Sequence, residues 1–327
     1  MTQLKTPPPA ATPSPSRSTS ATTPVELLIL GAGWTSTFLL PLLETSNISH
    51  AATSRTGLDH TIPFTFDPDG QDSSPYERLP LAKTILITFP LKGEQQSKLL
   101  TDLYERTHEG VKTSCRWVQL GSTGIFSEKG WNDSDSAYDT SNARAIAEDE
   151  LIRLLGKRAC VLNLAGLYGG ERQPRNWVTR VAKTKADVKG KGAVHLVHGR
   201  DVARAIISTH TCFDKVGGSR WIINDLHVYD WWDLIHSWGK YARESMAPSS
   251  SMREKDGLVK GVEAGKYAGC TESGEGEEMQ FERWVVELMD EEGVRALPRD
   301  TSRLGRVLDG RGFWASVGAA PMEGRVS

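Results

Sequence analysis

The stretch Val25–Leu43, VELLILGAGWTSTFLLPLL, constrains the fold more than any other part of the chain. Val25 to Leu30 is almost wholly apolar, as a strand buried on both faces of a parallel sheet requires. Gly31-Ala32-Gly33 follows without a spacer. A helical pattern then places Phe38, Leu39, Leu42 and Leu43 on one side. Strand, glycine turn and helix in this order make a dinucleotide-binding turn. The first glycine permits the sharp reversal, and the second lets a pyrophosphate approach the backbone at the helix N-terminus. The third glycine of G-x-G-x-x-G is replaced by Ser36, small enough for the helix to pack on the strand. Trp34 and Thr35 complete the turn. Trp34 either shields a bound cofactor or packs, and Pro41 is expected to kink the helix or leave a carbonyl unpaired.

Downstream, strands and helices alternate. Strands are predicted over His50–Ser54, Ile62–Phe66, Thr84–Phe89, Trp117–Leu120 and Cys160–Leu164, with helices over Gln95–His108 and Ala143–Leu155. This alternation means a doubly wound parallel α/β sheet. Right-handed crossovers bring the loops after Leu30, Ser54, Phe89 and Leu120 to one edge, where ligands bind. A carboxylate commonly holds the ribose 2′-hydroxyl just past the second strand. Here Ser54 and Arg55 stand there, and a guanidinium suits a 2′-phosphate. The predicted cofactor is therefore NADP(H), with NAD(H) second. Its binding residues are Gly31, Gly33, Trp34, Thr35, Ser36, Ser54, Arg55, Phe89, Pro90 and Ser122.

Composition narrows the class. The 39 basic and 41 acidic residues nearly cancel, which argues against a nucleic-acid surface. No apolar run approaches the ~20 residues that cross a bilayer. Cys115, Cys160, Cys212 and Cys270 lack paired spacing and read as free thiols in a reducing, cytoplasmic setting. The eight histidines show no ligand spacing, so no metal is expected. Residues 1–24, rich in Pro, Ser and Thr, read as a disordered tail.

Four further segments carry a resemblance. Gly121-Ser122-Thr123-Gly124-Ile125-Phe126 resembles the Ser-Ser-x-x-Val-Tyr strand end of extended short-chain dehydrogenases/reductases. Ala165 to Gly170 (AGLYGG) resembles their Gly-x-Tyr-Gly-Pro turn. His195 to Ala203 (HLVHGRDVA) resembles Ile-His-Val-Asp-Asp-x-Ala, and Trp221 to Asp225 the late strand after it. Over residues 25–240 the chain resembles the NAD(P)-dependent epimerase/dehydratase group, nearest its YeeZ-like branch. The resemblance implies a Rossmann core over 25–170. It also implies a smaller C-terminal substrate lobe over 171–327, interleaved with returning sheet elements at about 199–240. These include a helix over Asp201–Thr209 and a strand over Trp221–Asn224. A helical segment is expected at Phe281–Met289 and a docking segment at Arg303–Trp314. A small-molecule substrate is implied, and pairing through helices like Ala143–Leu155 would give a homodimer.

The family moves its proton with a tyrosine whose phenol, pKa near ~10 when free, is lowered by a lysine four residues on. None of the seven tyrosines has that lysine. Aligning the helix puts Thr140 at the tyrosine site and Arg144 at the lysine site, and neither exchanges protons near neutrality. Three readings stay open. Tyr138 swings in with Arg144 as its cation; or Tyr168 or His198 supplies the acid; or no proton moves and the fold only binds, as a sensor or partner module. Ser122 and Thr123, hydroxyls at the end of the fifth strand, face the nicotinamide side. Trp231, Trp232 and Trp238, at helical spacing, are read as core rather than as the lining of an apolar pocket. The basic run Lys183–Lys191 is read as a solvated loop able to attract an anionic substrate.

Overall fold

The computed structural model describes residues 23–108, 114–246 and 280–326. The expected tail, Cys270 and the polar stretches between 246 and 280 lie outside the described residues, apart from their end residues. The strands are β1 (Val25–Leu30), β2 (His50–Ser54), β3 (Ile62–Pro63), β4 (Ala82–Ile87), β5 (Arg116–Ser122), β6 (Gly130–Asn132), β7 (Ala159–Leu164), β8 (Gly166–Tyr168), β9 (Ala193–Val194), β10 (Leu196–His198), β11 (Arg220–Ile223), β12 (Tyr229–Asp230) and β13 (Arg306–Leu308). The helices needed below are α1 (Ser36–Thr45), α2 (Gln96–Thr107), α3 (Ala143–Leu155) and, after the short helices Val178–Val181 and Lys185–Lys189, a helix over Gly199–Thr211.

Seven strands form one parallel sheet in the order β11-β7-β5-β4-β1-β2-β3. The order reverses between β1 and β4, so the crevice beyond their carboxyl ends is the ligand edge of the fold. Both faces are covered. Leu27 and Ile29 pack with Leu39 and Leu43 of α1 and Val202 and Ile206 of the Gly199–Thr211 helix. Leu28 and Leu30 point the other way, into Leu100 and Tyr104 of α2 and Leu151 of α3. A strand buried on two sides has no polar face to alternate, which is why VELLIL reads as a continuous run.

Pro41 does not break α1, which runs through it to Thr45. The carbonyl Pro41 cannot serve is that of Thr37, on the exposed side, where water can take it. The third strand is shorter than predicted. Only Thr53↔Ile62 and Ser54↔Pro63 pair, because Phe64 turns into the core against the edge of Tyr76. Trp231, Trp232 and Trp238 are buried with Phe281, Val285 and Leu288 in a separate core. The predicted docking segment is a strand followed by a helix. β13 pairs with β6, and Phe313 and Trp314 of the Arg311–Val317 helix fill the main core. No helix among the described residues is long and apolar enough to cross a membrane.

Candidate functional site

The glycine turn sits where the strand order reverses. Gly31 has φ +98°, a left-handed conformation that glycine adopts without steric cost. Its amide donates to Thr53 Oγ1 at 2.9 Å, and Ala32 N donates to the Thr53 carbonyl. Just past the end of β4, Thr88 Oγ1 donates to the carbonyls of Leu30 and Gly31, at 3.0 and 2.6 Å. The turn is thus clamped by two threonines, one in β2 and one directly after β4. A Cβ on Gly31 would lie 2.6 Å from Thr88 Oγ1, whereas one on Gly33 would meet nothing within 4 Å. The Ser36, Thr37 and Phe38 amides turn back to the carbonyls of Gly33, Trp34 and Thr35, at 2.9, 3.2 and 3.2 Å, so the amides without an acceptor among the described residues are those of Gly33, Trp34 and Thr35. Open space beside Gly33, together with these amides at the helix entry, is what a pyrophosphate requires. Ser36 is buried, and its hydroxyl has no protein partner.

Of the other predicted cofactor residues, Trp34 and Thr35 continue this turn and Phe89 lies against Gly31. Thr35 is buried as the residue before α1. Trp34 Nε1 donates to Gly169 O at 3.2 Å, its ring meets Phe38 edge-on, and the Arg172 guanidinium lies 4.4 Å from its centroid. Trp34 therefore packs, tying the glycine turn to the loop after Tyr168. Ser54 Oγ is engaged by Thr61 Oγ1 at 2.7 Å and Gly57 N at 2.9 Å, so it shapes the β2–β3 loop. Arg55, the next residue, is exposed. Phe89 stacks on Phe66 and approaches Gly31, and Pro90 is exposed at the crevice.

At the end of β5, Ser122 Oγ accepts from Gly124 N at 3.1 Å. That contact leaves the serine hydrogen uncommitted. Thr123 Oγ1 donates to Leu164 O at 3.2 Å, so its hydrogen is spent. Arg144 donates to Leu120 O at 3.1 Å, which holds its guanidinium beneath the same strand end.

Tyr138 and Arg144 are not brought together as a couple. The Tyr138 hydroxyl donates to Asp149 Oδ1 at 2.8 Å, and Arg220 lies over its ring at 4.0 Å. Burial and the Asp149 carboxylate both push the Tyr138 phenol up, the opposite of what an acid–base tyrosine needs. Thr140 is exposed. Tyr138→Phe is accordingly expected to change any coenzyme-dependent turnover less than twofold. A hundredfold loss of kcat would restore the phenol as the acid.

Tyr168 and His198 do meet, their rings 5.0 Å apart. Tyr168 donates to Gly324 O at 3.2 Å, and burial, then Asp225, Asp201 and Glu323, raise its pKa. His198 Nδ1 accepts from Arg200 N at 3.2 Å, which caps the Gly199–Thr211 helix. Nε2 therefore carries the hydrogen. Burial lowers the His198 pKa against the pull of Glu323, so the ring is neutral near pH 7.

Thr53, Thr88 and the C-terminal segment escape a reading of the sequence. Met322 and Glu323 amides hold the buried Asp201 carboxylate at 2.9 and 3.0 Å, and Val326 N donates to the Tyr229 hydroxyl at 3.1 Å. The chain end is thereby laid beside Tyr168 and His198. A threonine at a strand end has many ordinary roles, and PMEGRV has no pattern that announces a strap.

Neither a family model nor a curated protein matches the chain. Solved structures share its fold. A protein from Methylobacillus flagellatus assigned as an NAD-dependent epimerase/dehydratase superposes with a TM-score of 0.54 at 14% identity, over 89% of this chain and 91% of that one. MoeE5 in complex with UDP-glucose and NAD gives 0.54 at 14% identity, covering 91% and 94%. A functionally unknown conserved protein from Silicibacter pomeroyi gives 0.50 at 14%, with the same coverage. The chain has the Rossmann fold of the epimerase/dehydratase structures, as the sequence motifs predict.

Proposed function

We propose that the chain binds NADP(H) and acts as an oxidoreductase or epimerase-like enzyme on a small carbonyl or carbinol metabolite. The observation that carries this reading is the clamped glycine turn with open space at Gly33, set where the sheet order reverses. That the similar MoeE5 structure contains NAD supports a nicotinamide dinucleotide in this crevice. When bound, the nicotinamide supplies or accepts a hydride. The chain's own groups must then orient the substrate and stabilise charge on its oxygen. Ser122 is the hydroxyl free to donate to that oxygen. Neutral His198 lies on the other side of the crevice, its donor nitrogen beside Gly169.

The experiment is calorimetry with NADPH and NADH, followed by turnover of NADPH across a panel of aldehydes and ketones. Absence of heat with both coenzymes overturns the reading. The Tyr138–Asp149 bond favours a second reading, coenzyme binding without turnover. Tight NADPH binding with no activity on any carbonyl would select it.

Arg55 carries the preference for the phosphorylated coenzyme. It is exposed at the end of β2, whose Thr53 contacts the glycine turn. Losing one charge-assisted contact to a phosphate costs about 1.5–3 kcal/mol, or roughly ten- to a hundredfold. Arg55→Asp is expected to weaken NADPH by about that factor and to tighten NADH. An unchanged ratio of the two dissociation constants would remove Arg55 from the site.

A further inference from the structure

A cavity of about 390 Å³ opens between the lobe that follows β8 and the turn after β5. Its walls carry charge of one sign. Lys129, Lys189, Lys191, Arg299, Arg303 and Arg306 line it, and no carboxylate does. Two of these cations are neutralised. Arg299 grips Asp230 with Nε and Nη2, and Lys189 pairs with Glu292 at 2.9 Å. Among the described residues, none of Lys129, Lys191, Arg303 and Arg306 makes an ion pair. Like charges converging on a hollow repel one another unless an anion joins them.

The walls are built, not loose. Gly192 lies against Leu304, where a Cβ would fall 2.1 Å from the Leu304 carbonyl oxygen, and Ala193 N donates to that oxygen at 2.8 Å. On the other side, β13 pairs with β6 so that Arg306 stands opposite Gly130, next to Lys129. Arg306 is half-buried, and its Nη1 donates to the carbonyls of Thr123 at 2.7 Å and Phe126 at 3.1 Å. These carbonyls belong to the turn that presents Ser122. The inner end of the cavity is therefore one hydrogen bond from the strand end assigned above to the reacting oxygen.

We propose that this cavity is a substrate subsite for a phosphomonoester, with Lys129, Lys191, Arg303 and Arg306 as its ligands. The proposal rests on the function proposed above and names the substrate class: a small phosphorylated carbonyl or carbinol compound. Arg306 is its specificity-determining residue. It faces the anion while fixed to the Thr123 carbonyl, so it sets the distance from the phosphoryl group to Ser122. A guanidinium fork beside ammonium groups matches a tetrahedral dianion better than it matches a single carboxylate. The volume leaves room for a short carbon skeleton beside the phosphoryl group.

The test titrates inorganic phosphate into the full chain saturated with NADPH, at constant ionic strength held with chloride. Saturation keeps phosphate out of the pyrophosphate cradle at Gly33. The wild type is expected to bind phosphate. Lys129→Gln/Arg303→Gln, both at exposed positions, should weaken it at least tenfold with no change in melting temperature in the absence of phosphate. Arg306→Gln should do the same, and should raise KM for a phosphorylated aldehyde more than for its unphosphorylated parent. Equal phosphate affinity in wild type and the double variant overturns the subsite, as does equal affinity for succinate. Phosphate failing while NADPH binds overturns this proposal alone. Phosphate binding without NADPH binding overturns the proposed function, and the subsite's role in substrate recognition with it.

Discussion

Gly33→Asp is expected to weaken NADPH at least a hundredfold while leaving the folded chain as stable as before. The two glycines of the turn differ in a way that makes this separation possible. At Gly31, φ is +98° and an added Cβ would press on Thr88 Oγ1 at 2.6 Å. Substitution there would damage the turn and the binding together. At Gly33 the backbone is not left-handed, and an added Cβ meets no atom within 4 Å. The protein itself does not need glycine at that position. An aspartate would put its carboxylate where the turn entering α1 offers the amides of Gly33, Trp34 and Thr35 to a pyrophosphate. A carboxylate near a helix N-terminus is, if anything, favourable to the helix. Opposed to a diphosphate, it brings like charges into contact and fills the space the ligand needs. Two orders of magnitude correspond to about 3 kcal/mol, a modest demand on such a contact. Calorimetry and a thermal melt of the same preparation read the two halves. Wild-type affinity in Gly33→Asp would show that no pyrophosphate lies on this turn.

The sheet was legible because its strands are buried on both faces. VELLIL and ACVLNL are runs of buried residues, and apolar continuity survives in sequence. The small elements were not legible. β9 and β12 have two residues each and β6 and β13 three; pairs that short carry no periodicity, and the partners lie 35 and 176 positions apart in the register Tyr229↔Val194 and Arg306↔Gly130. The glycine turn could be read at once, since only glycine tolerates Gly31's backbone. Its clamps, Thr53 and Thr88, could not, because a hydroxyl's partner depends on which strands become neighbours. Tyr138 shows the same limit on the catalytic side. It stands six positions before Arg144, two more than the couple's spacing, and the fold gives its hydroxyl to Asp149 and its ring to Arg220, a residue 82 positions beyond it.

Arg220 is the basis of the second large effect. Glu148, on α3, is wholly buried. It accepts from Asn163 Nδ2 at 2.9 Å and from Arg220 Nη1 at 3.0 Å, while Arg220 Nη2 holds Asp149. Arg220→Met keeps much of the packing volume and removes the cation. A buried carboxylate stripped of its partner costs about 3–5 kcal/mol, a fall in melting temperature on the order of 5–10 °C. The pH dependence has a definite sign. Burial already pushes the Glu148 carboxyl up, against the pull of Asn163 and Arg220, and removing Arg220 pushes it further. A carboxyl raised in the folded state adds stability below its ordinary pKa and loses it as pH rises through the raised value. The deficit of Arg220→Met should therefore be small near pH 5 and grow toward pH 8. Adding Glu148→Gln to Arg220→Met removes the charge and should recover part of the loss at pH 8. A deficit equal at both pH values, with no recovery from Glu148→Gln, would mean that Arg220 acts only by packing on Tyr138.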